Sequence, residues 1–157
     1  MVDTLTPARR SALMAKVRGR GNASTEGALA AILRARGYVG WRRQQTIRGR
    51  DARGAPFRAR PDFVFRARPL AIFVDGCFWH MCPRHGARPR TNAAFWRAKL
   101  RRNQTRDRRD TRNLRRAGWA VLRLWEHELH PRARVGLLVK LRRLLGREQK
   151  SPTRRSG

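Results

Sequence analysis

Residues 72–85 read I-F-V-D-G-C-F-W-H-M-C-P-R-H, and this stretch gathers most of the unusual chemistry of the chain. It begins as a β-branched and aromatic run, which is typical of a buried strand, and a glycine then ends the run. The next nine residues hold both cysteines of the chain, Cys77 and Cys82, and two of its four histidines, His80 and His85. Thiols, imidazoles and large aromatic rings rarely share one short loop without a chemical task. We therefore expect the rest of the protein to support this loop.

The length and composition of the chain indicate one globular domain. The chain has 157 residues and 40% hydrophobic content, which is enough for a core. We predict a single domain over residues 1–147 and a disordered basic tail over residues 148–157. No run of 18 apolar residues is present, and the first 20 residues lack the apolar centre of a signal peptide. These features predict an intracellular protein with no membrane contact.

The charge of the chain points to a polyanionic partner. The formal net charge is +29, from 39 Lys and Arg against 10 Asp and Glu. Such an excess repels itself in a folded protein unless a polyanion neutralises it. A preference for arginine over lysine can arise from a GC-rich genome, but that bias does not explain the shortage of acids. Nucleic acid is therefore the expected partner.

The order of helix and strand signals predicts an α/β fold. We expect helices over residues 7–18, 24–36, 92–117 and 131–145. We expect strands over 38–46, 60–65, 70–74 and 119–125, and a basic, glycine-rich loop over 48–60. Residues 66–69 have the length of a hairpin turn, so the two strands that flank them should pair. That pairing should place Asp62, at the start of one strand, near Val74 and Asp75 at the end of the other.

The long helix carries a stripe that is apolar at both ends and polar in its middle. Its members recur at alternating steps of four and three residues: Trp96, Leu100, Asn103, Asp107, Asp110 and Leu114. A solvated face would be polar throughout, and a core face would be apolar throughout. The stripe therefore predicts a helix that packs against a polar site, while the arginines on its other faces suit a phosphate backbone.

The two cysteines suggest a structural zinc site, because disulfides are rare in reducing compartments. Cys77, Cys82 and His85 provide three ligands, and a structural zinc needs four. His127, which follows the last strand, is the better candidate for the fourth ligand, and His130 is the alternative. The competing interpretation is a pair of buried free cysteines beside solvated histidines.

The acids and the remaining histidine suggest phosphodiester hydrolysis. Asp62 could hold hydrated Mg²⁺ with the help of backbone carbonyls and water. His80, which is not needed for zinc, could activate water or protonate the leaving oxygen. Asp107 could orient the imidazole. Glu26, in the first turn of the second helix, is a further candidate, although it could also serve the helix dipole. For each acid, the alternative role is an ion pair with one of the many arginines.

Three aromatic residues could contact DNA. Phe78 and Trp79 are adjacent in the loop, and Trp96 lies near the start of the long helix. Aromatic wedges that enter a duplex unstack base pairs at a cost that is lowest at a mispair. The alternative is that all three rings belong to the core.

Several segments together resemble the very-short-patch repair endonucleases, which are bacterial thymine–guanine mismatch nickases. The resemblance rests on R-P-D-F-V at 60–64, V-D-G-C-F-W-H at 74–80 and C-P-R-H at 82–85. It continues through Phe95-Trp96, Lys99, Asn103, Arg106-Asp107, Gly118-Trp119 and W-E-H at 125–127. It extends from about residue 7 to residue 145, and the combination is far more specific than any single segment.

The resemblance implies a restriction-endonuclease-like mixed sheet flanked by helices, with a structural zinc site. It implies Mg²⁺-dependent nicking 5′ to the thymine of a T:G mispair that arises when 5-methylcytosine deaminates. By resemblance, Asp62 is the main Mg²⁺ ligand, Val74 contributes its backbone carbonyl, His80 is the catalytic histidine, Asp107 supports it and Glu26 is an acid at the edge of the site. The zinc ligands become Cys77, Cys82, His85 and His127, and the DNA contacts become Phe78, Trp79, Trp96 and Asn103.

The resemblance also suggests a cellular setting. It implies a monomer in the bacterial cytoplasm, associated with the nucleoid, that acts on double-stranded DNA and works with mismatch-repair proteins. Two rival functions remain open at the level of sequence. One is a zinc-containing DNA-binding protein without catalysis, and the other is a nuclease of the same fold without T:G specificity.

Overall fold

The computed structural model describes residues 23–86 and 92–146, and a mixed four-stranded sheet forms its centre. The strands of the described residues are β1 (Trp41–Arg43), β2 (Ile47–Arg50), β3 (Pro56–Ala59), β4 (Phe63–Phe65), β5 (Leu70–Asp75) and β6 (Ala120–Trp125). The main sheet has the order β1-β4-β5-β6. Its first two pairings are antiparallel, and the pairing of β5 with β6 is parallel. β2 and β3 form a separate antiparallel hairpin.

Helices cover both faces of this sheet. A π-helical turn, Ala23–Gly27, leads into α1 (Ala28–Ala35). The long helix α2 is Ala93–Arg116, and α3 is Arg134–Leu145, preceded by two short 3₁₀ turns, Glu126–Leu129 and Pro131–Ala133. The protein is therefore a mixed α/β structure.

The alternation of side chains along the strands divides the core into two layers. One layer joins the strands to α1 and α3 through side chains that include Leu29, Leu33, Phe63, Ile72, Leu124, Leu137 and Leu141. The other joins them to α2 and the β2–β3 hairpin through Ile47, Ala59, Val64, Ala71, Phe73 and Leu114. β5 is buried along nearly its whole length, since it lies between two strands and two helical layers. The end of β5 is thus a rigid base for the loop that follows it.

Most of the predicted elements within the described residues form, with two differences. The predicted strand over 38–46 is limited to β1, because Gln44 has a positive φ of 53° that ends the extended backbone. The predicted loop over 48–60 is wrong, because this region forms β2 and β3. Its turn is stabilised by Asp51, whose carboxylate accepts hydrogen bonds from the backbone N–H groups of Arg53 and Ala55 at 2.9 and 3.0 Å.

Two predictions fall outside the described residues: the helix over 7–18 and the disordered tail over 148–157. Within residues 23–86 and 92–146, no helix combines the length and the apolar character needed to cross a bilayer.

Candidate active site

Asp62 lies at the entrance to β4, opposite the end of β5. The antiparallel register pairs Phe63 with Ile72, which brings the Asp62 carboxylate to the backbone of Val74, as the hairpin prediction required. One carboxylate oxygen accepts the Val74 N–H at 2.7 Å, and the other accepts the Gln44 side-chain amide at 3.1 Å. Burial is the main cause that raises the pKa of Asp62 to about 6, with smaller contributions from the charges of Glu26 and Asp75. A cation at this carboxylate would relieve that unfavourable burial of charge.

Glu26 is connected to Asp62 through a single amide. The Glu26 side chain is buried, and one of its oxygens accepts the Gln44 Nε2–H at 2.8 Å. Its other oxygen accepts from the Arg43 guanidinium at 2.7 Å. The same Gln44 nitrogen lies between both carboxylates, so Glu26 sits at the edge of the site and is linked to its centre.

His80 and Asp107 are in direct contact. The loop after β5 carries His80, and the polar middle of α2 carries Asp107. The Nδ1 atom of His80 lies 2.5 Å from a carboxylate oxygen of Asp107. Burial would raise the pKa of Asp107, but the hydrogen bond from His80 and the charge of Arg123 together lower it. An ionised Asp107 fixes Nδ1 as the protonated nitrogen, so Nε2 of His80 is left as the basic one.

Asp75 and Arg123 form a second pair beside the first. Both oxygens of Asp75 accept from the Arg123 guanidinium, at 2.6 and 2.7 Å. Arg123 also lies 3.1 Å from the other carboxylate oxygen of Asp107. These carboxylates raise the pKa of Arg123 even though burial opposes the shift.

These groups line one cleft of about 490 Å³. The residues that line it include Asp62, Val74, Asp75, His80, Asp107 and Arg123, together with the arginines Arg58, Arg60, Arg106 and Arg109. Acidic groups and a histidine among the arginines of one cleft suit a phosphodiester held near a cation. The structure therefore brings Asp62, Val74, His80 and Asp107 into one cleft, and Glu26 is connected to Asp62 through Gln44.

Four zinc-ligand candidates form a separate cluster beyond the cleft. The candidate ligand atoms of Cys77, Cys82, His85 and His127 all lie within 4.8 Å of one another. The distances from sulfur to Nδ1 are 3.3 Å for Cys77 to His127, 3.6 Å for Cys82 to His127 and 3.9 Å for Cys82 to His85. A tetrahedral zinc with ordinary bond lengths separates sulfur and nitrogen by about 3.5 Å, so the cluster fits this ion.

The electrostatics of the cluster affect its two kinds of ligand differently. Burial and the neighbouring Cys82 raise the pKa of the Cys77 thiol, which disfavours the ligating thiolate, although a hydrogen bond from the His127 backbone N–H opposes this shift. Burial and the charge of His85 lower the pKa of His127, which favours its neutral, ligating form. His130 is exposed and lies outside the cluster, so the geometry favours His127 over it as the fourth ligand.

The aromatic residues of the loop after β5 and of the start of α2 form one cluster. Phe78, Trp79 and Trp96 lie with ring centroids 5.1 to 5.9 Å apart, and Phe95 adds a fourth ring 5.5 Å from Trp96. Lys99 lies over three of the rings at 5.1 to 5.8 Å. Phe78 and Trp79 are half-buried and Trp96 is buried, so the rings pack on one another in the free protein.

Asn103 has a defined position in the same region. Its side-chain amide donates to the backbone carbonyl of Trp79 at 3.1 Å. This contact ties α2 to the loop that carries the aromatic residues.

The sequence interpretation missed two residues of the site, Gln44 and Arg123. The sequence does point to a role for Arg123, because it is the one charged residue inside the apolar run W-A-V-L-R-L-W. It does not point to one for Gln44, since that role depends on a left-handed backbone conformation and on the proximity of two distant acids.

A family model and an individual protein of the same family both match this chain. The family model of DNA mismatch endonuclease Vsr matches residues 2–85. The DNA mismatch endonuclease Vsr of Escherichia coli (strain K12) is 35% identical, over 86% of this chain and 80% of that protein.

Two type II nicking enzymes are similar as well. V.XorIIP of Xanthomonas oryzae pv. oryzae is 36% identical, over 82% of this chain and 88% of that enzyme. V.NaeI of Lentzea aerocolonigenes is 56% identical, but over 75 residues, which are 48% of this chain and 45% of that enzyme.

Proposed function

We propose, from the premise that this chain belongs to the DNA mismatch endonuclease Vsr family, that it nicks DNA 5′ to the thymine of a T:G mispair. Family membership makes the protein a DNA endonuclease and implies the use of a divalent metal. The proposal adds the substrate, a mispair left when 5-methylcytosine deaminates, and the identity of the metals. The observation that carries it is that Asp62 and the His80–Asp107 pair line the same basic cleft.

His80 is the proton-transfer group in this proposal. Asp107 holds Nδ1, and the other ring nitrogen is free to take a proton from the attacking water or to give one to the leaving oxygen. The water oxygen bonds to phosphorus as the bond between phosphorus and the leaving sugar oxygen breaks. Asp107 stabilises the imidazolium that forms when His80 accepts the proton.

Mg²⁺ is the proposed catalytic metal, held by Asp62 and by the backbone carbonyl of Val74. Each oxygen of Asp62 receives one hydrogen bond and therefore keeps a lone pair for a cation. When bound, Mg²⁺ would neutralise charge on the phosphate and polarise water. Glu26 is proposed to act at the edge of this site, where Gln44 donates hydrogen bonds to both Glu26 and Asp62.

Zn²⁺ is the proposed structural metal. Cys77, Cys82, His85 and His127 would hold it, and with four protein ligands its role is rigidity. The ion would connect the loop after β5 to the segment after β6. His80 lies within that loop, so zinc would hold the catalytic imidazole in place.

Phe78, Trp79 and Trp96 are the proposed wedge at the mispair, with Asn103 as a further DNA contact. The rings already lie together near the cleft, so they could enter the duplex as a unit. A T:G pair is opened at lower cost than a Watson–Crick pair, which favours insertion at the mispair.

The remaining proposals concern the fold class and the cellular setting. The mixed sheet with helices on both faces supports a restriction-endonuclease-like core. We propose a monomer of the bacterial cytoplasm that is associated with the nucleoid and works with mismatch-repair proteins.

A nicking assay tests the proposed substrate. One duplex carries a T:G pair in a methylcytosine-type site, and its twin carries T:A at the same position. With Mg²⁺ present, we expect a nick 5′ to the mispaired thymine and no cut in the twin. Asp62→Ala should remove nicking while DNA binding persists. Equal cutting of both duplexes would reject mismatch specificity.

A second function, sequence-specific nicking without a mispair, is supported by the names of the relatives. V.NaeI and V.XorIIP are described as type II nicking enzymes. The same pair of duplexes distinguishes the two functions, because a site-specific nickase would cut the T:A twin. A mobility shift without any cut would instead favour a zinc-containing DNA-binding protein.

A further inference from the structure

We propose that Arg123 is a positioning residue that selects Asp107 as the partner of His80, and that Asp75 anchors Arg123. This inference rests on the proposed nuclease function, since its purpose is to orient the imidazole for proton transfer.

The guanidinium of Arg123 is held from three directions. Nε and Nη2 donate to the two oxygens of Asp75 at 2.7 and 2.6 Å. The plane of the group lies over the ring of Phe73, with its central carbon 4.6 Å from the ring centroid. Nη2 also lies 3.1 Å from an Asp107 carboxylate oxygen, and Nη1, on the remaining side, donates to the Asp107 backbone carbonyl and the Thr111 hydroxyl at 3.5 Å. A flat group with several fixed contacts has little freedom, so it is a precise support.

The neighbouring strands explain how these groups meet. β5 and β6 run parallel, with Phe73 beside Arg123 and Asp75 beside Trp125. Arg123 therefore lies over its own neighbour, Phe73, and reaches along β5 to Asp75 at the end of that strand. α2 crosses the same face and presents Asp107. An apolar side chain at position 123 would fit the core pattern of β6 but could not connect the two acids.

The imidazole of His80 has two acids within reach. Its Nδ1 atom lies 2.5 Å from Asp107 and 3.6 Å from Asp75. Arg123 engages both oxygens of Asp75, which keeps that carboxylate from the shorter contact. Without Arg123, a free Asp75 would compete with Asp107 for the same nitrogen, and the ring could rotate away from the cleft. Both oxygens of Asp75 are engaged by the arginine for the same reason, although Asp75, His80 and Asp107 have candidate ligand atoms within 4.8 Å of one another.

Arg123→Gln tests the inference in single-turnover nicking at saturating DNA. The loss of a group that orients a functional side chain typically costs about 10- to 100-fold. We expect a fall of that size in the nicking rate, while DNA affinity changes no more than in the control. The control is Arg142→Gln, which makes the same charge change at an exposed position of α3. A rate within about two-fold of the control, or a loss confined to affinity, would overturn the inference.

Asp75→Asn tests the anchor. We expect slower nicking, since the guanidinium loses its firmest contact. If Arg123 instead acted directly on the phosphate, freeing it from Asp75 would leave the rate unchanged or raise it. Either of those results would reject the anchoring role.

A readout besides activity separates this inference from the proposed function. In the protein without Mg²⁺, the Nδ1–H proton of His80 should give a strongly downfield NMR signal that persists in Arg142→Gln and is lost in Arg123→Gln. Persistence of that signal in Arg123→Gln would contradict positioning, even if the wild-type protein nicked no duplex. If Arg123→Gln does not fold, Arg123→Lys replaces it, because lysine keeps the positive charge but lacks the flat group that engages both oxygens of Asp75. Slow nicking and a lost signal in Arg123→Lys support the inference, and wild-type behaviour in both overturns it.

Discussion

At the scale of single residues, Asp62 is both the proposed metal ligand and a cost to stability. Its pKa is raised to about 6 from 3.8, chiefly by burial. Between these pH values the folded state binds more protons than the unfolded state, so stability falls as pH rises through this window. The two-unit shift corresponds to about 3 kcal/mol, and the full loss is reached above the folded pKa.

Asp62→Asn should therefore remove nicking and stabilise the fold in Mg²⁺-free buffer. Asparagine avoids the buried charge but loses one of two hydrogen bonds, because its NH₂ group cannot accept from Gln44 or from Val74. We expect the free energy of unfolding to rise by about 1 to 2 kcal/mol near pH 8, and the gain to vanish near pH 4. Urea denaturation at several pH values measures this difference.

The matched control for Asp62→Asn is Asp51→Asn. One oxygen of Asp51 accepts both hydrogen bonds of the β2–β3 turn, and an asparagine oxygen can do the same. We expect this variant to show no gain. If the free energy of unfolding of Asp62→Asn near pH 8 were equal to or lower than that of the wild-type protein, the burial of charge would not be the dominant effect at Asp62.

At the scale of elements, the sequence predicted the parts of the fold that depend on local pattern. The buried strand β5, the turn after β4 and the stripe on α2 all follow from periodicity and from spacing along the chain. The stripe is confirmed in detail, since Trp96, Leu100 and Leu114 are buried while Asp107 faces the cleft.

The elements that were mispredicted depend on particular backbone and tertiary contacts. The sequence pattern predicts a loop in place of the β2–β3 hairpin, because its arginines and glycines mask the buried Ile47 and Ala59. The strand over 38–46 ended early because Gln44 turns the backbone to reach two acids. Arg123 joins β6, β5 and α2, so its role could not be derived from any one segment.

Gly86→Ala should weaken the proposed zinc loop. An added Cβ would lie 2.6 Å from the backbone carbonyl oxygen of Cys82, which also accepts the Gly86 N–H at 2.7 Å. The backbone between the two proposed zinc ligands cannot move without shifting Cys82 or His85. We expect faster zinc loss to a chromogenic chelator and a stability loss of about 1 to 3 kcal/mol.

Gly136→Ala provides the comparison for that prediction. An added Cβ at Gly136 meets no atom within 4 Å, and the residue lies inside α3. Alanine should therefore stabilise the helix by about 0.5 to 1 kcal/mol without changing zinc retention. If the two variants released zinc at the same rate, Gly86 would not be a requirement of the loop.

At the scale of the whole molecule, positive charge is abundant throughout the sequence, but acids and arginines have a particular arrangement around one cleft. The net charge of +29 gives attraction to any polyanion. Four of the acids nevertheless line one cleft, namely Asp62, Asp75, Asp107 and Asp110, and arginines such as Arg58, Arg60, Arg106 and Arg109 line it with them. In the proposed function, the excess charge attracts DNA to the protein, and the arrangement of charge around the cleft would select where a phosphate is held.

Salt dependence separates these two contributions. Each phosphate neutralised by a bound arginine contributes about −0.9 to the slope of log K against log salt concentration. Arg58→Gln should make the slope less steep by about this amount, because Arg58 lines the cleft. Arg142→Gln makes the same charge change at an exposed position of α3 and should leave the slope nearly unchanged. Fluorescence anisotropy at several salt concentrations measures both.

The two duplexes of the nicking assay sharpen this test. A phosphate contact carries no information about bases, so Arg58→Gln should weaken binding to T:G and T:A duplexes equally. Trp79→Ala should instead reduce the preference for T:G, because the wedge acts where the pair opens most easily. If Arg142→Gln changed the slope as much as Arg58→Gln, DNA would be held by the overall charge of the protein. The arginines of the cleft would then contribute no more to DNA affinity than arginines elsewhere on the surface.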